Sequence, residues 1–148
     1  MEIKNFDNII SRVPKLSAPL RVVLAGSDGE NMLRRLFQAQ NEGFVQPVLV
    51  GDRARTMVQL EKLGLEQEPY TMAAIDIITC GEGDILMRGN LPTRDFLMPV
   101  LDRKNGLRTE RLMSHVSLAS IPEYPKLLAL SDMTIIVNPN PTQKTAII

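Results

Sequence analysis

This chain of 148 residues has no tryptophan, one cysteine and one histidine, and aromatic residues make up only 4% of it. A lone cysteine cannot close an internal disulfide. With a single histidine beside it, no His/Cys zinc set is expected within the chain, and no metal site is assigned. Charge of one sign is missing too: seventeen Lys and Arg balance seventeen Asp and Glu. A neutral chain has no general field to gather nucleic acid or a membrane surface, so neither is expected as a partner. No apolar run nears the ~20 residues that a spanning helix needs. The opening stretch MEIKNFDNIISRV lacks an uninterrupted apolar segment, which argues against a secretory signal. These absences leave the cytoplasm as the expected compartment.

What is present is a globular composition, with 44% apolar and 23% charged residues. Phe6, Ile9, Ile10 and Val13 fall at helical spacing, with Asn5 or Asp7 as cap and Pro14 as stop. RVVLAG (21–26) and QPVLVGD (46–52) read as buried strands. Helices follow them over 28–42 and 54–63, closed by Gly43 and Gly64. A helix over 69–80 is weakened by β-branched residues. GDILMRGN (83–90) is the third strand, and LPTRDFLMPVLDR (91–103) a helix that Pro99 should kink or break. HVSLASI (115–121) and KLLALSD (126–132) form a strand pair across the turn PEYP, MTIIV (133–137) gives a further strand, and TQKTAII opens a helix. The expected architecture is a single α/β domain over 1–148, a three-layer α/β/α with a mostly parallel sheet. Residues 1–112 would form the parallel part and 113–148 the start of further strands.

Two stretches carry candidate chemistry. In GDILMRGNLPT a strand ends in a turn at a helix start, where Arg88, Gly89 and Thr93 can cradle an anion on free N–H groups. The plainer alternative is that Thr93 caps its helix and Gly89 turns the chain. GLRTERLMSHV places Arg108, Arg111, Ser114 and His115 within eight residues. Arginine forks suit phosphate or carboxylate, Ser114 can donate a further bond, and His115 can act as base or orienting donor. Alternatively these arginines pair with Asp102, Glu110 or Glu123 on the surface, and His115 is structural. AGSDGEN matches neither the dinucleotide nor the P-loop pattern. Cys80, on an apolar helix without an adjacent base, is expected to be a buried structural thiol. Asp84 and Asp132 lie too far apart in sequence for a metal cluster.

The ordered set RVVLAG, QPVLVGD, GDILMRGNLPT, GLRTERLMSHV and IPEYPKLLALSD resembles the phosphate acetyl/butyryltransferase family over nearly the whole chain, nearer its butyryltransferase branch. The resemblance implies a two-domain α/β fold like that of isocitrate and isopropylmalate dehydrogenases, of which this chain is the N-terminal half. It implies acyl transfer from coenzyme A to inorganic phosphate, both being substrates, with no separate cofactor. Arg88, Gly89, Thr93, Arg108 and Arg111 would then bind the anionic substrates, and Ser114 and His115 would be catalytic. Three departures stand out. Met98 replaces an arginine, Ile136 and Asn140 replace an asparagine and an aspartate, and the stretch from Leu65 to Gly83 is short. They keep open a second reading, a non-catalytic module that binds coenzyme A or an anion, or assembles with another subunit. Either reading implies a homo-oligomer or a complementary C-terminal half, with 133–137 in the contact.

Overall fold

A computed structural model describes residues 3–11, 18–67, 69, 73–136 and 138–147. The chain divides into two compact units, Lys15–Leu107 and a second made of Met1–Pro14 with Arg108–Ile148.

The first unit is built on strands β1 (Leu20–Ala25), β2 (Val45–Val50) and β3 (Ile85–Arg88), in the order β2-β1-β3 and parallel throughout. Parallel strands need crossovers, and helices supply them. Side chains alternate across the strands and make two cores. On one face Val22, Leu24 and Leu49 meet Leu33, Leu36 and Phe37 of α2 (Glu30–Asn41) and Leu60 of α3 (Arg53–Leu63). On the other, Val23 and Val48 meet Ile77 of α4 (Ala74–Thr79). The result is the three-layer α/β/α arrangement that the near-continuous apolar strands predict. The two helix stops operate as expected, Gly43 and Gly64 both taking the left-handed conformation at φ 83° and 64°.

The middle strand is tied to the start of β3 through its second residue, Arg21. Arg21 donates its backbone N–H and its Nε–H to Asp84 Oδ2 at 2.8 and 3.0 Å, and its Nη2–H to Oδ1 at 2.7 Å. Asp84 N–H donates in return to the Arg21 carbonyl at 2.9 Å. This side-on pair fixes the β1–β3 register. Gly83, just before it, packs where an added Cβ would strike Val23. On the outer side of β2, Pro47 has no N–H to offer, and its carbonyl accepts from Gln67 Nε2 at 2.7 Å. Helix α5 (Thr93–Val100) continues past Pro99 by one residue and stops at Leu101, so the proline ends the helix rather than dividing it.

The second unit holds α1 (Phe6–Ile10), β4 (Ser117–Ala119), β5 (Leu128–Leu130) and α6 (Pro141–Ile147). Asn5 caps α1, accepting from Asn8 N–H; Val13 and Pro14, the expected end of that helix, lie outside the described residues. β4 and β5 pair antiparallel across the expected turn. The strand expected over 133–137 is not there: Met133–Ile136 is non-regular, and Val137 lies outside the described residues. The cause is Asp132, whose Oδ1 accepts from the amides of Thr134 and Ile135 at 2.9 and 3.0 Å. Those donors close a turn and cannot serve a ladder. α6 opens where expected, with a reciprocal capping box in which Asn140 and Gln143 exchange backbone-to-side-chain bonds, both 2.9 Å.

The Arg21–Asp84 clasp predicts a pH signature. These bonds, led by the Arg21 side chain, lower the Asp84 carboxyl from 3.8 to about 2. A depressed carboxylate stabilises the fold fully above its unfolded value and loses that contribution as pH falls through the folded one. Asp84→Asn is therefore expected to be less stable than the parent at neutral pH. The gap in chemical denaturation should hold down to about pH 4 and close toward pH 2. A gap that persists at pH 2 would mean that the charge is not what the clasp uses.

Candidate functional site

All three parallel strands end at one edge, and a cavity of about 370 Å³ opens there. Ala25 and Val50, at the carboxyl ends of β1 and β2, and Leu86 of β3 lie against it together with Phe96 and Pro99 of α5 and Ala74 of α4. Gly26 and Gly51 give it bare backbone, and Asp28, Asp52, Arg55, Asn90 and Asp95 supply its polar groups. The turn after β1 is pinned toward α3 by a buried Ser27–Thr56 hydroxyl pair at 2.9 Å. Gly51 fits so tightly against it that an added Cβ would lie 2.9 Å from Ser27 N.

The turn after β3 carries three of the sequence-predicted residues. Gly89 is held by contact rather than by conformational freedom: a Cβ there would collide with the Gly26 carbonyl. The amides of Gly89 and Asn90 donate to the carbonyls of Ala25 and Gly26, both at 2.8 Å. Thr93 does not cap α5. Pro92 occupies the cap position and makes no side-chain bond, so Thr93 is the first helical residue and its hydroxyl accepts from Arg88 Nη1. The first-turn amides of α5 thus have no side-chain cap, and Arg88 stands beside them, with the carboxylate of Asp95 in the same turn.

The remaining predicted residues lie in the second unit. Arg108 and Arg111 are exposed, and neither guanidinium has a hydrogen bond or ion pair among the described residues. Surface pairing with Asp102, Glu110 or Glu123 therefore does not account for them. The glycine that precedes them has a different reason: Gly106 packs with its Cα against the end of α5, where a Cβ would lie 2.6 Å from the carbonyls of Pro99, Val100 and Asp102. Ser114 and His115 are half-buried. His115 N–H donates to Asp132 Oδ2 at 3.0 Å, and its carbonyl accepts from Ser131 Oγ at 2.8 Å. In its ring, Nε2 lies 3.5 Å from Ser117 Oγ, whereas Nδ1 is buried with no partner among the described residues. Partial burial would raise the Asp132 carboxyl, but the amides of Ile135, Thr134, His115 and Ile136 outweigh it and hold the group below its ordinary range.

Arg88, Gly89 and Thr93 are thus gathered on one turn of the first unit, and Arg108, Arg111, Ser114 and His115 along one segment of the second. Cys80 is exposed, not buried, because α4 ends before it and the thiol sits at the C-cap, its Sγ 3.5 Å from the Ile77 carbonyl. Among the described residues no group of three His, Cys, Asp or Glu side chains could hold a metal. None of their helices is long and apolar enough to cross a membrane. The cavity residues escaped the sequence reading, although a signal was there. Each strand runs into a glycine with an acidic or amide residue close behind: Gly26 and Asp28, Gly51 and Asp52, Gly89 and Asn90.

A cavity at the carboxyl ends of a parallel sheet is the arrangement of small-molecule-binding α/β proteins. Comparison with known proteins narrows this. The chain is 30% identical to a phosphate butyryltransferase from Clostridium beijerinckii, over 98% of this chain and 51% of that protein. It is 28% identical to a phosphate acetyltransferase from Thermotoga maritima, over 86% of this chain and 47% of that protein. A probable phosphate butyryltransferase from Bacillus subtilis is 39% identical over 38% of this chain and 19% of its own length. No family model matches the chain. The resemblance drawn from the motifs is borne out: the chain is a homologue of phosphate butyryl- and acetyltransferases along nearly all of its length. It spans about half the length of the first two relatives.

The unpaired state of the two arginines yields a test. If Arg108 and Arg111 hold an anion, replacing both by methionine should abolish calorimetric binding of phosphate and weaken that of coenzyme A while leaving the thermal melt nearly unchanged, because solvated arginines contribute little to a fold. Parent binding should weaken as salt rises. Unchanged anion affinity in a well-folded double variant would remove these arginines from the site.

Proposed function

We propose that the chain is the N-terminal half of a phosphate acyltransferase, which converts an acyl-coenzyme A and inorganic phosphate into an acyl phosphate and coenzyme A. The observation that carries this reading is the similarity to phosphate butyryl- and acetyltransferases over 98% of the chain. The geometry agrees with it. A phosphate oxygen attacks the thioester carbonyl carbon, the tetrahedral oxyanion collapses, the C–S bond breaks and the sulfur leaves as thiolate. Phosphate is itself the nucleophile, so no covalent enzyme intermediate is needed. What the protein must supply is the positioning of anions and stabilisation of the oxyanion. Arg88, Thr93 and the uncapped start of α5 suit one anion, with Gly89 bringing that turn against β1. Arg108 and Arg111 suit another, and in this reading Ser114 would donate a bond and His115 act as base or orienting donor.

The second reading, a non-catalytic module that binds coenzyme A or an anion, is favoured by Met98, Ile136 and Asn140, which depart from the family pattern. A thiol-trapping assay separates the two. The purified 148-residue chain should show little or no phosphate-dependent release of coenzyme A from acetyl- or butyryl-coenzyme A, since each missing anion-hole donor costs ~10²–10³ in rate. Joined to the C-terminal half of the Clostridium beijerinckii relative, it should turn over. A joined protein that folds and binds coenzyme A without turnover would favour the module.

The cytoplasm is the compartment we propose, in keeping with a single unpaired cysteine. Self-association follows from the second unit, in which no described residue is buried and Val116 and Met133 are 62% and 56% exposed. Light scattering is expected to give a dimer or larger; a monodisperse monomer at assay concentration would refute it.

A further inference from the structure

The cavity at the carboxyl ends of β1, β2 and β3 is left unused by the anion sites above, and its chemistry is wrong for phosphate. Asp28, Asp52 and Asp95 line it against one cation among the described residues, Arg55. Asp28 faces the Arg55 guanidinium at 3.9 Å, and Asp52 accepts from the Arg55 amide at 2.9 Å. Asp95 has no partner among the described residues. The surplus of carboxylates turns away an anionic group and favours a neutral one that donates hydrogen bonds.

Size and walls narrow the choice. About 370 Å³ is ample for a heterocycle, and it falls within the roughly 300–1,000 Å³ of small-molecule sites. Gly26 and Gly51 present flat backbone without side chains, and Phe96 is the aromatic ring in the lining among the described residues. Asn90 lines the same space, and its side-chain amide makes no hydrogen bond among the described residues. A free carboxamide matches the amino and N7 edge of adenine with two bonds, accepting one and donating the other. We propose that this cavity binds the adenine ring of an adenine nucleotide, with Asn90 reading the amino edge and Phe96 against the ring. The phosphates stay outside, and Arg88 on the same turn is the nearby cation in sequence. That the nucleotide is coenzyme A rests on the reaction proposed above; the adenine site does not.

Calorimetric titration of the purified chain with adenosine, inosine and coenzyme A tests this. Adenosine should bind. Inosine, which carries an oxo group in place of the amino group, should bind roughly tenfold or more weakly, and Asn90→Ala should lose a similar factor for adenosine. Asn90 is exposed, and a thermal melt run alongside confirms that the variant is folded; should it fail to fold, the adenosine–inosine comparison on the parent decides. Equal affinity for the two nucleosides, or no binding of adenosine, overturns the site. Coenzyme A should displace adenosine. Adenosine that it cannot displace overturns the assignment to coenzyme A, whereas competition intact without acyl transfer in the joined protein counts against the reaction alone.

Discussion

Two turns leave the sheet at almost the same point, and the backbone of one lies directly against the backbone of the other. Gly89 rests on the Gly26 carbonyl, and Gly26, at φ 81°, leaves so little room that a Cβ would sit 2.5 Å from Leu91 Cγ. Only residues without a side chain allow that approach, and overpacking such a contact costs typically about 1–3 kcal/mol. Much else follows from it. The amides of Gly89 and Asn90 are drawn onto the end of β1, which fixes where α5 starts. The start of α5 fixes where Phe96 and Pro99 stand, and so the shape of the cavity. The glycines shape the site by what they leave out.

The two units reach order by different means. The first buries whole side chains on both faces of its sheet, with Leu24, Leu33, Leu49 and Ile77 fully enclosed. The second has no buried residue among those described, and its sheet is a pair of three-residue strands. Two strands alone are marginal in water. What organises this unit is polar: one carboxylate, Asp132, gathers the amides of His115, Thr134 and Ile135 and so joins the entry of β4 to the exit of β5. Apolar burial specifies the first unit, and a charged acceptor specifies the turns of the second.

This difference explains what could be read from the sequence. RVVLAG and QPVLVGD announce buried parallel strands because both of their faces are covered, and Gly43 and Gly64 announce helix ends because only glycine enters the left-handed region cheaply. MTIIV reads as a strand by composition, yet Asp132 takes its amides first, a competition invisible to propensity. Cys80 reads as buried because its helix is apolar, and the structure exposes it because that helix ends at Thr79, one residue before it. Arg88 and Thr93 were legible as a strand end meeting a helix start. The cavity was not, because Asp28, Asp52, Asn90 and Phe96 are brought together by strand order, and strand order is not a local property of the chain.

The β2 edge has a consequence for how this sheet can be extended. A strand arriving there would meet Pro47, which offers no donor, and a carbonyl already engaged by Gln67. Nothing comparable guards the far side: among the described residues no strand pairs beyond β3, and Ile85 is 42% exposed. The sheet is therefore one-handed as a template. It can lengthen only past β3, so growth by repeated edge-to-edge addition, the route to open fibrils, is closed after a single step.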